Sequence, residues 1–251
     1  MEKELKYKYI KPDKSLADFV ESFWYLKNHS NSDKEVVILP DGRIDLFFTQ
    51  SDTEPFHVAL LGIDTQAEQA TITPNWHTFA ISFKPIAIAY IFRDTVPYLL
   101  ENVQTMPTDF WDFSQDDLND FDLFCEKATQ KIKSLLPKEV DERKRKLFEL
   151  IYSSNGEMTV EELSAKVFWS SRQINRYFNQ QFGLSLKAYC NIIRFRASFE
   201  HIKEGKLFPQ QNFADQSHFI KEVKKLSGVS LKNLKQNKND RFIQFSLLPP
   251  K

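Results

Sequence analysis

Cysteine is nearly missing from this chain: Cys125 and Cys190 are the only two in 251 residues, each set among helix-forming neighbours. Two such thiols make no disulfide framework, so the expected compartment is a reducing cytoplasm. Glycine is scarce as well. Its six scattered residues leave no glycine-rich loop to cradle a phosphate and no Gly-x-Ser-x-Gly elbow for a nucleophile. No apolar run is long enough to span a bilayer, and the opening MEKELKYKYIK lacks the apolar centre of a signal peptide. Neither His-x-His nor Cys-x-x-Cys occurs. His57, His77, Asp45 and Asp64 would have to gather from separate segments to hold a metal, and isolated histidines on strands are more often hydrogen-bonded polar groups. These absences argue against an enzyme, and neither a metal nor a cofactor is expected.

What the chain has is an uneven distribution of charge. Lys plus Arg equals Asp plus Glu overall, at 34 each. Residues 1–140 nevertheless carry 14 basic against 23 acidic residues, a net of −9, and residues 141–251 carry 20 against 11, a net of +9. A basic half neutralises phosphates and releases counterions on binding a polynucleotide, whereas an acidic half is repelled from one. Attraction between the two halves is the other reading of the same asymmetry.

Residues 158–185 in the basic half carry the most specific pattern. Val160, Leu163 and Val167 share one face of a short helix. Ser170 stands where an N-cap oxygen is needed. The spacing then predicts a second helix over 171–182, with Ile174, Phe178 and Phe182 inward and Gly183 at the αL position that closes helices. Its outer faces carry Arg172, Gln173, Asn175, Arg176 and Asn179. Arginine pairs with guanine O6 and N7, and Asn or Gln with adenine N6 and N7, at the width a helix presents to a major groove. A solvated amphipathic helix pair is the plainer alternative.

The acidic half has a different rhythm. Runs rich in Val, Ile, Phe and Thr at 19–26, 35–39, 43–49, 57–63, 70–73 and 78–83 read as strands. Pro40-Asp41-Gly42 reads as a hairpin turn. Short helices are expected at 86–92 and 96–101, and a longer one at 116–136 with Leu118, Phe121, Phe124 and Ala128 inward, ended by Pro137. The aromatics Phe23, Trp24, Phe47, Phe48, Trp76, Phe79 and Phe83 either line an apolar ligand pocket or, more simply, form the core of a small β domain. The fold class is α+β. An N-terminal antiparallel β-rich barrel or sandwich with short helices, residues 1–140, precedes a C-terminal all-α domain with a tail, residues 141–251.

The segment 158–197, MTVEELSAKVFWSSRQINRYFNQQFGLSLKAYCNIIRFRA, resembles the first helix-turn-helix of the AraC-type transcription regulators, and 212–231, NFADQSHFIKEVKKLSGVSL, resembles their second. Arg176 and Phe178, the arginine-bearing helix at 193–197 and the phrase Asp215-Gln216-Ser217-His218-Phe219 carry the likeness. The resemblance implies two reading units joined by one helix, entering successive major-groove turns on one side of double-stranded DNA. It implies base reading by Arg172, Asn175 and Arg176 in the first unit and by Gln216, Ser217, His218 and Lys221 in the second. More weakly, the segments 19–24, 39–46 and 81–85 resemble the β-rich domain that precedes many bacterial AraC-type readers. That domain senses a small molecule or pairs subunits. The implied role is a cytoplasmic, sequence-specific activator or repressor, with RNA polymerase, a small-molecule effector and a second copy of the chain as the further partners of such a protein.

Two departures stand out. The family usually places glycine in the first turn where this chain has Phe168, so the turn is made without positive φ or with strain. Residues 206–212, KLFPQQN, are shorter than the family's supporting helix, and Pro209 limits helix there. The stretch 186–204 is expected to be a rigid spacer helix. The tail, with Phe242 and Phe245, is expected to fold back and cover Phe219, Val223 and Leu226. The alternatives are a non-catalytic ligand-binding or protein-interaction module with degenerate DNA reading and, further off, a metal-dependent cupin-like enzyme with a helical appendage.

Overall fold

The structure, a computed structural model, describes residues 5–92, 97–206, 216–238 and 241–246. It divides into two compact units. The first comprises Met1–Lys34, Arg43–Gly62 and Thr71–Val140, and the second Glu35–Gly42, Ile63–Ala70 and Asp141–Lys251.

The strand runs of the sequence become β2 (Val20–Asn28), β3 (Lys34–Ile38), β4 (Ile44–Gln50), β5 (His57–Leu61), β6 (Glu68–Ile72) and β7 (His77–Phe83), joined by β1 (Leu5–Ile10) and β8 (Val103–Met106). In the first unit six of them form a sheet in the order β1-β2-β7-β4-β5-β8, every neighbouring pair antiparallel. The remaining two, β3 and β6, pair with each other. Since β3 and β4 lie in different sheets, Pro40-Asp41-Gly42 is not the hairpin its residues predict. It is a turn that carries the chain out of one sheet, with Gly42 at φ 76°.

Strand alternation places Tyr25, Phe79 and Phe48 side by side on one face of the large sheet. Helix α1 (Phe121–Leu135) begins at Asp120, whose carboxylate accepts from the Asp122 and Leu123 amides. It lays Phe121 and Phe124 on that face, with ring centroids 5.1 and 5.2 Å from Phe79. Phe113 closes on Phe48 at 4.6 Å. Phe23, Phe48, Phe79 and Phe83 are therefore core, while Trp24, Phe47 and Trp76 are half-buried.

The expected helices of this unit are shorter, or wound differently, than their periodicity suggests. The stretch 86–92 contains a π-helical turn at Ile88–Phe92, and a 3-10 turn at Pro97–Leu99 is the described helical part of 96–101. Gln115–Asn119 is 3-10, because Asp120 adopts φ −137° and serves as the cap that starts α1 afresh.

In the second unit the chain forms α2 (Glu142–Ser153), α3 (Val160–Val167), α4 (Ser171–Phe182), α5 (Leu186–Ala197), α6 (Phe199–Lys203), α7 (Gln216–Ser227), α8 (Leu231–Gln236) and α9 (Ile243–Ser246). The expected single spacer over 186–204 is two helices meeting at Ser198. The Ser198 hydroxyl donates to the Phe195 carbonyl at 2.6 Å. Its backbone remains αR and its amide still reaches Arg194 O, so helical direction carries through the junction.

The segment 35–42 is part of this helical unit although it precedes it by a hundred positions. The Tyr189 hydroxyl donates to Gly42 O at 3.0 Å and lies 2.7 Å from the Tyr152 hydroxyl, which must then donate to it. A Cβ on Gly42 would approach Ile193 Cδ1 to 2.8 Å. The end of the Ile193 side chain can yield to such a group, so it is the φ of 76° that calls for glycine there. The tail closes the same side: Gln244 pairs through both amide atoms with the backbone of Leu39 at 2.9 Å, and the Val37 amide donates to Arg241 O.

Phe242 and Phe245 are buried, and the Phe245 ring lies 5.0 Å from Phe199, so the tail does fold back. Its named contacts are with α6 and β3. Phe219, Val223 and Leu226 are buried on α7, which packs against α5 and α8. The short segment 207–212 lies outside the described residues, as does the tail beyond 246.

Candidate nucleic-acid interface

Thr159 and Ser170 begin α3 and α4, each through a reciprocal capping box. The Thr159 hydroxyl accepts from the Glu162 amide while the Glu162 carboxylate accepts from the Thr159 amide, and Ser170 and Gln173 repeat the arrangement. Gly183 ends α4 at φ 77°. Beneath it Ile174, Phe178 and Phe182 are fully buried, with Phe178 5.7 Å from Phe148 and 5.5 Å from Tyr189. A helix fixed by two caps and an aromatic underside presents its outer face in one orientation.

The turn between α3 and α4 is made with strain. Phe168 adopts φ 55°, ψ 34° and is 88% exposed. A left-handed conformation costs an L-residue about 1–2 kcal/mol, and the exposed ring recovers little of it through packing.

Arg172 and Arg176 project from α4 into solvent, and among the described residues neither is bound to a carboxylate. Asn175 is half-buried and its amide donates to Ser171 O at 3.1 Å, so its donor is turned onto its own helix. Gln173 is engaged in the cap and Asn179 donates to Asn175 O. Of the five polar residues that the spacing places on this face, Arg172, Gln173, Asn175, Arg176 and Asn179, the two arginines are the ones uncommitted within the chain.

Arg194, on the arginine-bearing helix, is occupied structurally. Its guanidinium donates to Gly156 O at 2.8 Å and ties α5 to the loop before α3. The structure adds two basic residues that periodicity did not single out. The Arg143 guanidinium lies 5.2 Å from the Trp169 ring, and Lys144 Nζ lies 5.2 Å from the Tyr177 ring, which places both charges beside α4. Their signal was the aromatic pair at 169 and 177, legible only once α2 lies alongside.

In α7, Gln216, Ser217 and Lys221 are exposed and His218 is half-buried. Phe219, Val223 and Leu226 are buried beneath them. The two sets of residues expected to read bases thus lie on two different helices of one unit. Burial pushes the Cys190 thiol on α5 up to about 12, and the same cause raises Cys125 in the first unit to about 12, so neither is a thiolate at neutral pH. Asp45 accepts from the Ser82 hydroxyl and His57 Nδ1 lies 3.0 Å from Pro55 O. No group of three His, Cys, Asp or Glu placed to hold a metal occurs among the described residues, and none of their helices is long and apolar enough to cross a membrane.

A family model described as a domain of unknown function (DUF6597) matches residues 8–104. Among solved structures, the chain is similar to ToxT from Vibrio cholerae at 14% identity, with 92% of this chain and 98% of that chain covered and a TM-score of 0.43. It is similar to unsaturated fatty acid-bound ToxT from Vibrio cholerae at 11% identity, covering 92% and 94%, with a TM-score of 0.41. No curated protein matches.

Proposed function

We propose that the protein is a sequence-specific DNA-binding transcription regulator of the AraC type, with the helical unit as reader and the sheet unit as a small-molecule sensor or pairing surface. The observation that supports it is α4: capped at both ends, fixed by three buried side chains and exposing Arg172 and Arg176 without a carboxylate partner. Arginine held this way matches guanine bidentately, which is worth about 1–3 kcal/mol against the wrong base. Lys144 and Lys221 supply charge for phosphates on either side, Lys221 in place of the base contact that the family likeness implies because an ammonium is a point charge, while Arg143 is held by the Asp141 carboxylate at 2.9 Å. Asn175, Gln216, Ser217 and His218 complete the readers that the family likeness implies. RNA polymerase and a second copy of the chain are the remaining partners of this reading.

Binding of the full chain to genomic DNA fragments across a salt series tests it. A few fragments should bind far more tightly than the bulk, with log K falling linearly against log salt at about 0.9 per neutralised phosphate. Equal, weak and strongly salt-dependent binding to every fragment would favour the alternative, an interaction module whose helical unit no longer reads bases.

A further inference from the structure

An open cavity of about 370 Å³ at the surface of the sheet unit is lined by Lys27, Gln50, Ser51, His77 and the exposed Asp52, Asn75 and Gln115, without one aliphatic side chain. The strands place three of these in a row. Lys27 pairs with His77 across β2 and β7, and His77 pairs with Gln50 across β7 and β4. In-register residues point to the same face. This row lies two residues along from Tyr25, Phe79 and Phe48, so the polar cavity opens where the aromatic core beneath α1 stops. The His77 ring packs edge-on against Phe79 at 4.7 Å.

The walls are held from behind. Fully buried Asn28, next to Lys27, donates its side-chain amide to the carbonyls of Ser32, Ile72 and Thr73, and its backbone amide to Trp76 O. That fixes the turn carrying Asn75, which itself adopts φ 55°. The Ser51 hydroxyl accepts from the Thr53 and Glu54 amides and the Ser51 amide donates to Glu54 O, so the loop bearing Asp52 is equally constrained. Asn75 donates to one Asp52 oxygen at 2.7 Å.

Two opposite charges thus face one cavity without meeting. Among the described residues Lys27 forms no ion pair, Asp52 has only the Asn75 amide, and neither ring nitrogen of His77 has a hydrogen-bond partner. Burial, with Lys27 and His29 nearby, holds the His77 pKa down at about 4, so at neutral pH the ring is uncharged and offers one donor and one acceptor.

We infer that this cavity binds a small zwitterion, a free α-amino acid with a short or polar side chain, its carboxylate on Lys27 and His77 and its ammonium on Asp52. Gln50 and Gln115 are left to meet the side chain. An amino acid with a large apolar side chain has nothing to pack against here. The binding itself is independent of DNA; only its role as effector rests on the regulator reading above.

The test is calorimetric titration of the full-length chain, without DNA, against each of the twenty free L-α-amino acids at pH 7.5. For the tightest, the deaminated acid and the decarboxylated amine follow. At least one small or polar amino acid should bind saturably at one site per chain, with either analogue weaker by roughly tenfold or more. Lys27→Met and Asp52→Asn should each lose roughly tenfold while leaving the ligand-free melting curve and DNA binding unchanged. The inference is overturned if none of the twenty binds, if the deaminated acid binds as well as the amino acid, or if both variants bind like the parent. Failure here with intact DNA binding sinks the ligand and leaves the reader standing.

Discussion

Helices α4 and α7 both run twelve residues and bury one face, yet they are held and equipped differently. Beneath α4 lie Ile174, Phe178 and Phe182, amid the rings of Phe148, Tyr177 and Tyr189. Beneath α7 lie Phe219, Val223 and Leu226, with one ring among them. The outer faces differ in the same sense. Arginine forks from α4, whereas Lys221, Lys224 and Lys225 rise from α7. A planar guanidinium reads a base edge bidentately, and an ammonium is a point charge suited to phosphate. On the proposed reading, both helices read bases, but α4 does so through arginine forks, while α7 adds more phosphate affinity beside the contacts of Gln216, Ser217 and His218.

The largest effect is expected beneath α4. Phe178→Ala leaves a void among four rings and should cost about 3–5 kcal/mol, seen as a lower melting temperature and loss of DNA binding altogether. An unchanged melting curve would mean that the aromatic underside does not fix α4.

Phe245→Ala comes next. It removes a buried ring from Phe199 and α6 and should cost about 3 kcal/mol, at the low end for such a deletion because one ring and not four surrounds the void. Because α6 packs on α8 and α8 on α7, footprints should lose protection at the α7 half-site before the α4 half-site. Equal loss at both would erase the distinction between the two helices.

Arg176→Ala and Lys221→Ala separate reading from anchoring. The first should weaken specific binding by about 1–3 kcal/mol and random binding much less. The second should weaken both alike and lower the salt slope by about 1. If the arginine variant loses specific and random binding equally, α4 is an anchor and not a reader.

Smaller effects lie at the two ends of the first turn. Ser170→Ala removes the oxygen that accepts the Gln173 amide and should destabilise the helical unit by about 1 kcal/mol. Phe168→Gly relieves the left-handed strain at an exposed ring and should stabilise the unit by up to about 1 kcal/mol in denaturant unfolding. Loss of stability on that change would reveal packing at Phe168 that its exposure hides.

Much of this architecture is legible in the sequence. The recurrence of Ile174, Phe178 and Phe182 at helical spacing, with Ser170 and Gly183 as brackets, locates α4 to the residue because caps and buried stripes are local rules. Six strand runs are legible from their β-branched and aromatic content. Strand β1 is not, since Lys6 and Lys8 give it the polarity of an exposed edge. Nor is the fate of Pro40-Asp41-Gly42, because which strands pair is decided by distant partners and not by the turn. Asn175 looks like a base reader by its position on the helix. Whether its amide faces outward or bonds Ser171 O is a rotamer choice that no spacing records. The clamp of Gln244 on Leu39 spans 205 positions and leaves no trace in either segment alone.

Whether α4 reads base sequence through its arginines is tested most directly by selection of duplexes from a random-sequence pool, run in parallel with the parent chain and with Arg176→Ala. The expected result is an enriched motif for the parent, and for the variant the same motif with its preference relaxed at one guanine-containing position. Enrichment of no motif by the parent, or of an identical motif by both, would contradict base reading by α4.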